Sequence, residues 1–214
     1  MFAIREPLHF EDVISYLFLS DKEAALIDTG MGFFNINDII SDLTDLPITV
    51  LNTHSHSDHV GSNSEFDKVY GWEHDVSLKR SANTTLDPLF LELKDKKMFP
   101  DEITASEIEG WFIKPYSFIA LNETNSLTIG DLKFKIIHSP GHSPDGICFY
   151  ETNSKTLIAG DNLYMGPIFL QLEESNLKDY IESLKNLNDL DINLILGGHN
   201  EAFFDKTYIN EIID

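Results

Sequence analysis

The chain has 214 residues, of which 42% are hydrophobic and 24% charged, so it is long enough to bury a core and is not of disordered composition. Its formal net charge of −21 repels phosphate backbones, so nucleic acid is not an expected partner. The single cysteine, Cys148, excludes an internal disulfide, and its apolar neighbours ICFY predict a small core residue.

The N-terminal stretch MFAIREPLHF lacks the apolar core of a signal peptide, and no apolar run reaches the length of a membrane span. We therefore expect a cytoplasmic protein without a membrane partner. Since no repeat, low-complexity tract or Pro- or Gly-rich linker divides the sequence, we expect a single domain over residues 1–214.

The first part of the chain combines predicted strands with one predicted helix. Apolar runs separated by turn-forming residues predict strands at 13–19, 24–28 and 48–52. Helical spacing of apolar residues predicts a helix over 35–46. Its expected buried face comprises Ile36, Ile39, Ile40 and Leu43.

An irregular, partly helical insertion is predicted over residues 73–125, with breaks at Pro88 and Pro100. It is the expected specificity element, because aromatic side chains near a metal site commonly wall an apolar pocket. The alternatives are that these side chains form the core of the insertion or make a homodimer contact. The side chains in question are Trp72, His74, Phe90, Met98, Phe99, Trp111, Phe112, Tyr116 and Phe118.

Five of the fifteen basic residues lie in one stretch of this insertion, namely Lys79, Arg80, Lys94, Lys96 and Lys97. They form either a basic patch that meets an anionic substrate or the solvated faces of helices.

The second part is rich in predicted strands, at residues 127–129, 132–138, 146–151, 156–160 and 192–198. Helices are predicted over 175–187 and 205–213. The expected apolar face of the first is formed by Leu177, Tyr180, Ile181, Leu184 and Leu187. Because strands and helices recur in each part, the order indicates two mixed sheets with helices outside, an α/β arrangement in layers.

Polar clusters follow four of the predicted strands. They are THSHSDH at 53–59, SPGHS at 139–143, GD at 160–161 and GGH at 197–199. Loops at the C-terminal ends of strands can converge on one edge of a sheet, where α/β proteins place their sites.

The first of these clusters holds four potential metal ligands, His54, His56, Asp58 and His59. Imidazole and carboxylate are ligands that divalent zinc accepts. The alternative is a polar loop whose histidines only make hydrogen bonds. It would account for a single histidine but accounts poorly for four potential ligands in six residues. Two metals are a natural solution, one fed by the first two residues and the other by the last two. Further candidates for completing the sites are His142, Asp161, which could bridge the metals, and His199.

The series THSHSDH, PGHS, GD and GGH resembles the pattern of the metallo-β-lactamase superfamily, and the resemblance runs from IDTG at 27–30 to GGH at 197–199. It implies the αββα sandwich fold. It also implies a first metal bound by His54, His56 and His142, a second bound by Asp58, His59 and His199, and a bridging Asp161. Asp28 matches an acidic residue that supports the ligands without binding metal.

The resemblance further implies two divalent cations, with zinc expected and iron or manganese as alternatives, since the same ligands suit several metals. A hydroxide shared by the cations would attack the carbonyl carbon of a small acyl substrate, a thioester or ester. Asp58 is expected to orient this nucleophile and accept a proton. Tyr164 is spaced as in superfamily lactonases and some acyl-thioester hydrolases, so it is expected to donate to the substrate carbonyl, the alternative being a tyrosine packed in the core. His138 is expected to support the site rather than bind metal.

The layout is most similar to small glyoxalase II-like acyl-thioester hydrolases, which favours an acyl-CoA or a related thioester. Beyond His199 the sequence carries one basic residue, Lys206, and so departs from the basic extension with which glyoxalase II grips glutathione. The alternatives are a lactonase or β-lactamase-type amide hydrolase, a mononuclear iron enzyme of the persulfide dioxygenase branch, and a metal-binding scaffold without catalysis. The dioxygenase branch usually carries Gly-Cys-Gly-Arg where this chain has GDNLYMGPIF.

Overall fold

The computed structural model describes residues 1–7, 9–122 and 126–213. The last three residues of the insertion predicted at 73–125 therefore lie outside the described residues. Among the described residues, no helix combines the length and the apolar character needed to cross a membrane.

The first half of the chain forms a six-stranded mixed sheet whose strands lie side by side in chain order. The first three strands pair in antiparallel fashion, and the third to the sixth are parallel. The strands are β1 (Phe2–Arg5), β2 (Ile14–Leu19), β3 (Ala24–Ile27), β4 (Ile48–Leu51), β5 (Val69–Gly71) and β6 (Ile119–Ala120).

The second half forms a five-stranded mixed sheet. Its strands are β7 (Ser126–Ile129), β8 (Leu132–His138), β9 (Ile147–Glu151), β10 (Thr156–Gly160) and β11 (Leu194–Gly197). The spatial order is β11-β10-β9-β8-β7, and each pair is antiparallel except β10 with β11.

Helices lie between and outside these strands. They are α1 (Ile36–Leu43), α2 (Ser57–Val60), α3 (Asp75–Asn83), α4 (Pro88–Leu93), α5 (Ala105–Gly110), α6 (Leu177–Asn188) and α7 (Thr207–Ile213). Short 3-10 turns lie at Asn63–Glu65, Thr84–Leu86 and Lys96–Met98.

The core has four parts that define the layers. One cluster, with Tyr16 and Phe149 at its centre, packs the inner faces of the two sheets together. A second packs α6 and α7 on the outer face of the β7–β11 sheet, and a third packs α1 on the outer face of the β1–β6 sheet. Two mixed sheets with helices on both outer faces confirm the predicted αββα sandwich. Cys148 lies fully buried in β9, and burial raises the pKa of its thiol to about 12.

The fourth part of the core lies in the predicted insertion. Phe90, Phe99 and Trp111 are buried there with Val13 and Met31. These aromatic side chains thus form the core of the insertion, which was one of the three expected roles, whereas Phe112 is 57% exposed. His74 caps the N-terminus of α3, and Trp72 stacks on His138 at a centroid distance of 4.2 Å.

The predicted helix faces were too wide. Ile39 is 42% exposed, although Ile36 and Ile40 of the same helix are buried. In α6, Leu177 and Ile181 are likewise 60% and 40% exposed. Each helix packs on a single sheet, so only the narrow stripe that faces the sheet is covered, and apolar residues beside that stripe stay in contact with solvent.

Candidate metal centre

All seven predicted ligands lie at one edge of the sandwich, in loops that follow strands. His54, His56, Asp58 and His59 follow β4, while His142, Asp161 and His199 follow β8, β10 and β11. Each is buried, with an exposed fraction of 8% or less. After β4 the chain turns into α2, a single helical turn that begins at Ser57. This turn lets the adjacent residues Asp58 and His59 face the same space.

The ligand atoms form three overlapping groups, and within each group the atoms lie within 4.8 Å of one another. The first group is His54, His56 and His142; the second is Asp58, His59 and His199; the third is His54, His59 and Asp161. The structure therefore brings the two expected ligand sets together side by side.

Asp161 lies between the two sets. Its Oδ1 is 3.1 Å from the Nε2 atoms of both His59 and His199, and its Oδ2 is 3.5 Å from Nε2 of His142. Because Oδ2 is also 3.2 Å from Nε2 of His199, the carboxylate contacts both sets, and its place between them fits the expected bridging role.

Backbone carbonyls orient two of the histidines. The Nδ1–H of His142 donates to the Phe169 carbonyl and that of His199 to the Glu11 carbonyl, both at 2.7 Å. Because a carbonyl can only accept, Nδ1 carries the proton and Nε2 presents its lone pair to the centre.

Asp28 orients two more histidines from behind. It accepts from the Thr53 amide at 2.8 Å, from the Thr53 hydroxyl at 2.7 Å and from Nδ1 of His59 at 2.9 Å. Since the Thr53 hydroxyl gives its proton to Asp28, it accepts from Nδ1 of His54 at 3.1 Å. Both imidazoles therefore also turn Nε2 toward the centre, which is the supporting role expected for Asp28.

His56 is held differently, by residues that the sequence did not indicate. Its Nε2–H donates to Glu174 at 2.7 Å, so Nδ1 faces the centre and lies 2.9 Å from Nε2 of His142. Glu174 in turn accepts two hydrogen bonds from Arg80, each 3.0 Å long. No local pattern marks this acidic residue, so only its position in the fold reveals the contact.

The unpaired polar atoms of the centre fit a bound cation. Within the part of the chain that the structure describes, Nε2 of His54, Nε2 of His59 and Oδ1 of Asp161 are buried without a hydrogen-bond partner. Such atoms are costly unless something binds them. The set of five imidazoles and two carboxylates suits zinc, iron and manganese, so the centre can hold divalent metal.

Burial and neighbouring carboxylates shift the pKa values of the ligand histidines in opposite directions. Burial lowers the pKa of His54 well below its usual range and that of His142 to about 4. Burial opposes charge on His59 and His199 as well, but the nearby carboxylates, Asp161 first and then Asp58, together outweigh it, so both pKa values rise, that of His199 to about 9. Protons thus occupy part of the space between the ligands, and metal binding is expected to release them.

Two glycines allow the loops to meet. Gly160 has a φ of +50°, which a side chain rarely tolerates. Gly198 lies so close to the centre that a Cβ on it would stand 2.4 Å from Oδ1 of Asp161. A larger residue at either position would displace a ligand loop.

A cavity of about 500 Å³ opens onto the centre, and His56, Asp58, His142 and Asp161 form part of its wall. The rest of the wall is mainly apolar and comes from the insertion and from the loop before α6. These apolar side chains are Phe10, Leu89, Leu91, Leu93, Met98, Phe169 and Leu172. Of the side chains for which a pocket wall was one of three expected roles, Met98 lines this cavity, and the wall is largely aliphatic.

The lysines near this cavity are engaged within the insertion. Lys94 donates to the carbonyls of Glu109 and Trp111, Lys96 donates to that of Pro100, and Lys97 pairs with Asp95 at 2.9 Å. Arg80 is buried between Glu174 and Asp87. Four of the five clustered cations thus contact neighbours in the chain, which speaks against the alternative of a basic patch that meets an anionic substrate.

Tyr164 and His138 differ from the arrangement expected of them. The Tyr164 ring packs 5.1 Å from the His199 ring, and its hydroxyl donates to the Pro167 carbonyl at 2.6 Å. A role of this hydroxyl toward substrate stays a prediction. His138 is exposed, and its Nε2 bonds the Pro144 carbonyl instead of a ligand.

Comparison with known proteins places this arrangement in a family. Residues 10–199 match the model of the metallo-beta-lactamase superfamily. The hydroxyacylglutathione hydrolase GloC of Haemophilus influenzae is 30% identical, over 89% of this chain and 86% of that protein. The human acyl-coenzyme A thioesterase MBLAC2 is 24% identical, over 88% of this chain and 73% of that protein.

Comparison with solved structures agrees with the family match. The crystal structure of the BLEG-1 B3 metallo-beta-lactamase aligns with a TM-score of 0.70 at 25% identity, over 96% of this chain and 95% of that one. The family match extends from before β2 to the last predicted ligand, His199, and so includes every strand except β1 and every ligand loop. With sequence and architecture in agreement over that length, the chain belongs to the metallo-beta-lactamase superfamily.

Proposed function

We propose that this chain is a binuclear metal-dependent hydrolase that cleaves thioesters or esters with an apolar acyl group, with acyl-thioesters preferred. The observation that carries the proposal is the position of the ligand groups, which share one buried centre in the wall of an apolar cavity. Sites of this form, mostly apolar with a few convergent polar groups, are typical of small-molecule binding.

The two ligand sets would each hold one cation, His54, His56 and His142 the first and Asp58, His59 and His199 the second, with Asp161 between them. Divalent cations in such a site polarise a carbonyl oxygen and lower the pKa of coordinated water to about 7. Zinc is the metal that we propose, and iron and manganese are the alternatives for the same donors.

Asp58 is the proposed proton acceptor and orienting residue. It belongs to the wall of the cavity, and its Oδ2 lies 3.4 Å from Nε2 of His59 and 3.5 Å from Nε2 of His199. Burial raises the pKa of this carboxyl, but the neighbouring histidines outweigh burial and hold the pKa well below the usual range, so the carboxylate is charged and can orient the nucleophile by accepting a hydrogen bond. Tyr164 is the proposed donor to the substrate carbonyl.

The cavity wall supports an apolar acyl group. Leu89, Leu91 and Leu93 of α4 line part of the cavity, and Phe169 and Leu172 line it from the segment before α6. The names of GloC and MBLAC2 describe hydrolases of two different thioesters, which supports the thioester class without choosing the thiol. Because most of the nearby cations already have partners, we propose that the acyl group contributes more to recognition than the thiol carrier.

The proposal is tested with protein of measured metal content and a panel of acyl-thioesters, esters, lactones and β-lactams. We expect thioesters to be hydrolysed fastest, and His54→Ala to abolish turnover while His138→Ala, at an exposed histidine, retains it. Faster turnover of a lactone or β-lactam would favour those activities instead. One iron per chain with sulfur-dependent oxygen uptake would favour the dioxygenase alternative, and equal rates for His54→Ala and wild type would defeat the proposal.

A further inference from the structure

We propose that Glu174 is a positioning residue for His56, that Arg80 holds it in place, and that these residues lock the substrate-binding segment onto the metal centre. This inference rests on the proposed metal centre. Its basis is a buried chain of contacts that runs from α4 through Arg80 and Glu174 to a single metal ligand.

The contact between Glu174 and Arg80 has specific geometry. Each carboxylate oxygen accepts from a different guanidinium nitrogen, Oε1 from Nη1 and Oε2 from Nη2, both at 3.0 Å. Such a two-point pair fixes the plane of the carboxylate. The Arg80 side chain is only 6% exposed and that of Glu174 19%, so solvent competes little for these bonds.

This fixed carboxylate determines which nitrogen His56 offers. Oε1 of Glu174 lies 2.7 Å from Nε2 of His56, so the proton stays on Nε2 and the lone pair on Nδ1 faces the centre. The other four histidines are held through Nδ1 and offer Nε2. His56 is therefore the ligand for which an acceptor on Nε2 is needed, and Glu174 supplies it.

Arg80 extends the chain of contacts to the cavity wall. Its Nε donates to Oδ2 of Asp87 at 2.6 Å, and Oδ1 of Asp87 accepts the Leu89 amide at 2.9 Å as the N-cap of α4. Since α4 supplies the leucines of the cavity, the position of the acyl-binding wall is tied to the orientation of His56.

A purely structural salt bridge is the competing interpretation, because a buried ion pair can hold segments together without acting on a ligand. The two interpretations differ in what they predict for metal affinity. A structural pair affects unfolding, whereas a positioning residue affects binding at the first site and acts only while His56 is present.

The test measures zinc affinity by competition with a chromophoric chelator and records the visible spectrum of the cobalt(II)-substituted protein. For Glu174→Gln we expect about 10- to 100-fold weaker binding at the first site, as is typical when the partner of a ligating histidine is lost. The matched control is Glu173→Gln, at the exposed neighbouring residue, which should bind metal as wild type does.

The decisive comparison is made in the His56→Ala background. We expect Glu174→Gln to cost no further metal affinity there, because its effect passes through His56. A full additional loss in that background, or unchanged zinc affinity and cobalt spectrum in Glu174→Gln alone, would overturn the inference. If Glu174→Gln does not fold, Arg80→Lys replaces it, and the same two results decide.

Because the readout is metal affinity, a wild-type protein that binds metal but hydrolyses none of the substrates would contradict the proposed function alone.

Discussion

Replacing Asp28 with asparagine should weaken both the fold and the metal centre. The carboxylate accepts three buried hydrogen bonds, two from Thr53 and one from His59. An asparagine can keep the bond to the Thr53 amide through its carbonyl oxygen. Its NH₂ group would then face the Thr53 hydroxyl and Nδ1–H of His59, so donors would meet donors.

The size of the effect follows from these contacts. A hydrogen bond to a charged group contributes about 1.5–3 kcal/mol, so two lost bonds amount to about 3–6 kcal/mol. Rotation of the Thr53 hydroxyl and removal of a buried charge offset part of this, which leaves about 2–3 kcal/mol. For a chain of this size, that corresponds to a fall in Tm of about 4–12 °C. Zinc affinity at the site of His59 should fall about 10- to 100-fold.

Calorimetry of the metal-free protein and chelator competition measure the two effects separately. Asp101→Asn, at an exposed aspartate, is the matched control and should change neither value. An Asp28→Asn variant that melts within about 2 °C of wild type and binds zinc equally well would show that Asp28 neither supports the loops nor orients His59.

Three further predictions concern other parts of the centre. Gly198→Ala should lose metal faster than wild type during dialysis against chelator, because its Cβ would stand 2.4 Å from Oδ1 of Asp161. The control is Gly110→Ala, whose Cβ would meet no atom within 4 Å, and equal metal retention in both variants would contradict the prediction. Glu6→Gln should be more stable than wild type at pH 8 by about 1–2 kcal/mol in denaturant unfolding. Burial raises the pKa of Glu6 to about 7, so the stability that its protonated form contributes is fully present below pH 4.5 and is lost as the pH rises through 7. A difference in unfolding free energy between Glu6→Gln and wild type that stays constant between pH 5 and pH 8 would refute this. Tyr164→Phe should lower kcat about 100-fold with little change in KM if the hydroxyl supports the substrate carbonyl, and an unchanged kcat with a lower Tm would assign that hydroxyl to the Pro167 carbonyl alone.

The long strands could be predicted from the sequence because their pattern is local. β2 and β8, with six and seven residues, are apolar or alternating runs bounded by turn residues, and both appear within one residue of the predicted limits. The strands β1, β5 and β6 were missed. They have two to four residues each, too few to show a period, and they are strands because the ladder to a neighbour pairs their backbone.

The metal centre, too, could be predicted from the sequence only where its pattern is local. His54, His56, Asp58 and His59 are adjacent in the chain, so their concentration alone indicated metal. Arg80 and Glu174 lie 94 residues apart in the chain and meet only in the folded structure, so no local spacing could reveal their contact.

Which of the three expected roles the aromatic side chains of the insertion take could not be predicted for a related reason. Hydropathy marks Phe90 and Trp111 as buried but does not say whether they face a cavity or the core of the insertion.

The seven ligands are divided between the two halves of the chain. The β1–β6 half provides the four that follow β4, and the β7–β11 half provides His142, Asp161 and His199. Cations held at this edge would therefore cross-link the two sheets and reinforce the backbone hydrogen bonds that already join them there, from the Ile14 amide to the Gly198 carbonyl and from the Ile147 amide to the Thr53 carbonyl. Loss of metal would then remove a cross-link between the sheets as well as the cations needed for catalysis. The two sheets would separate more easily on heating, even where every strand remained intact.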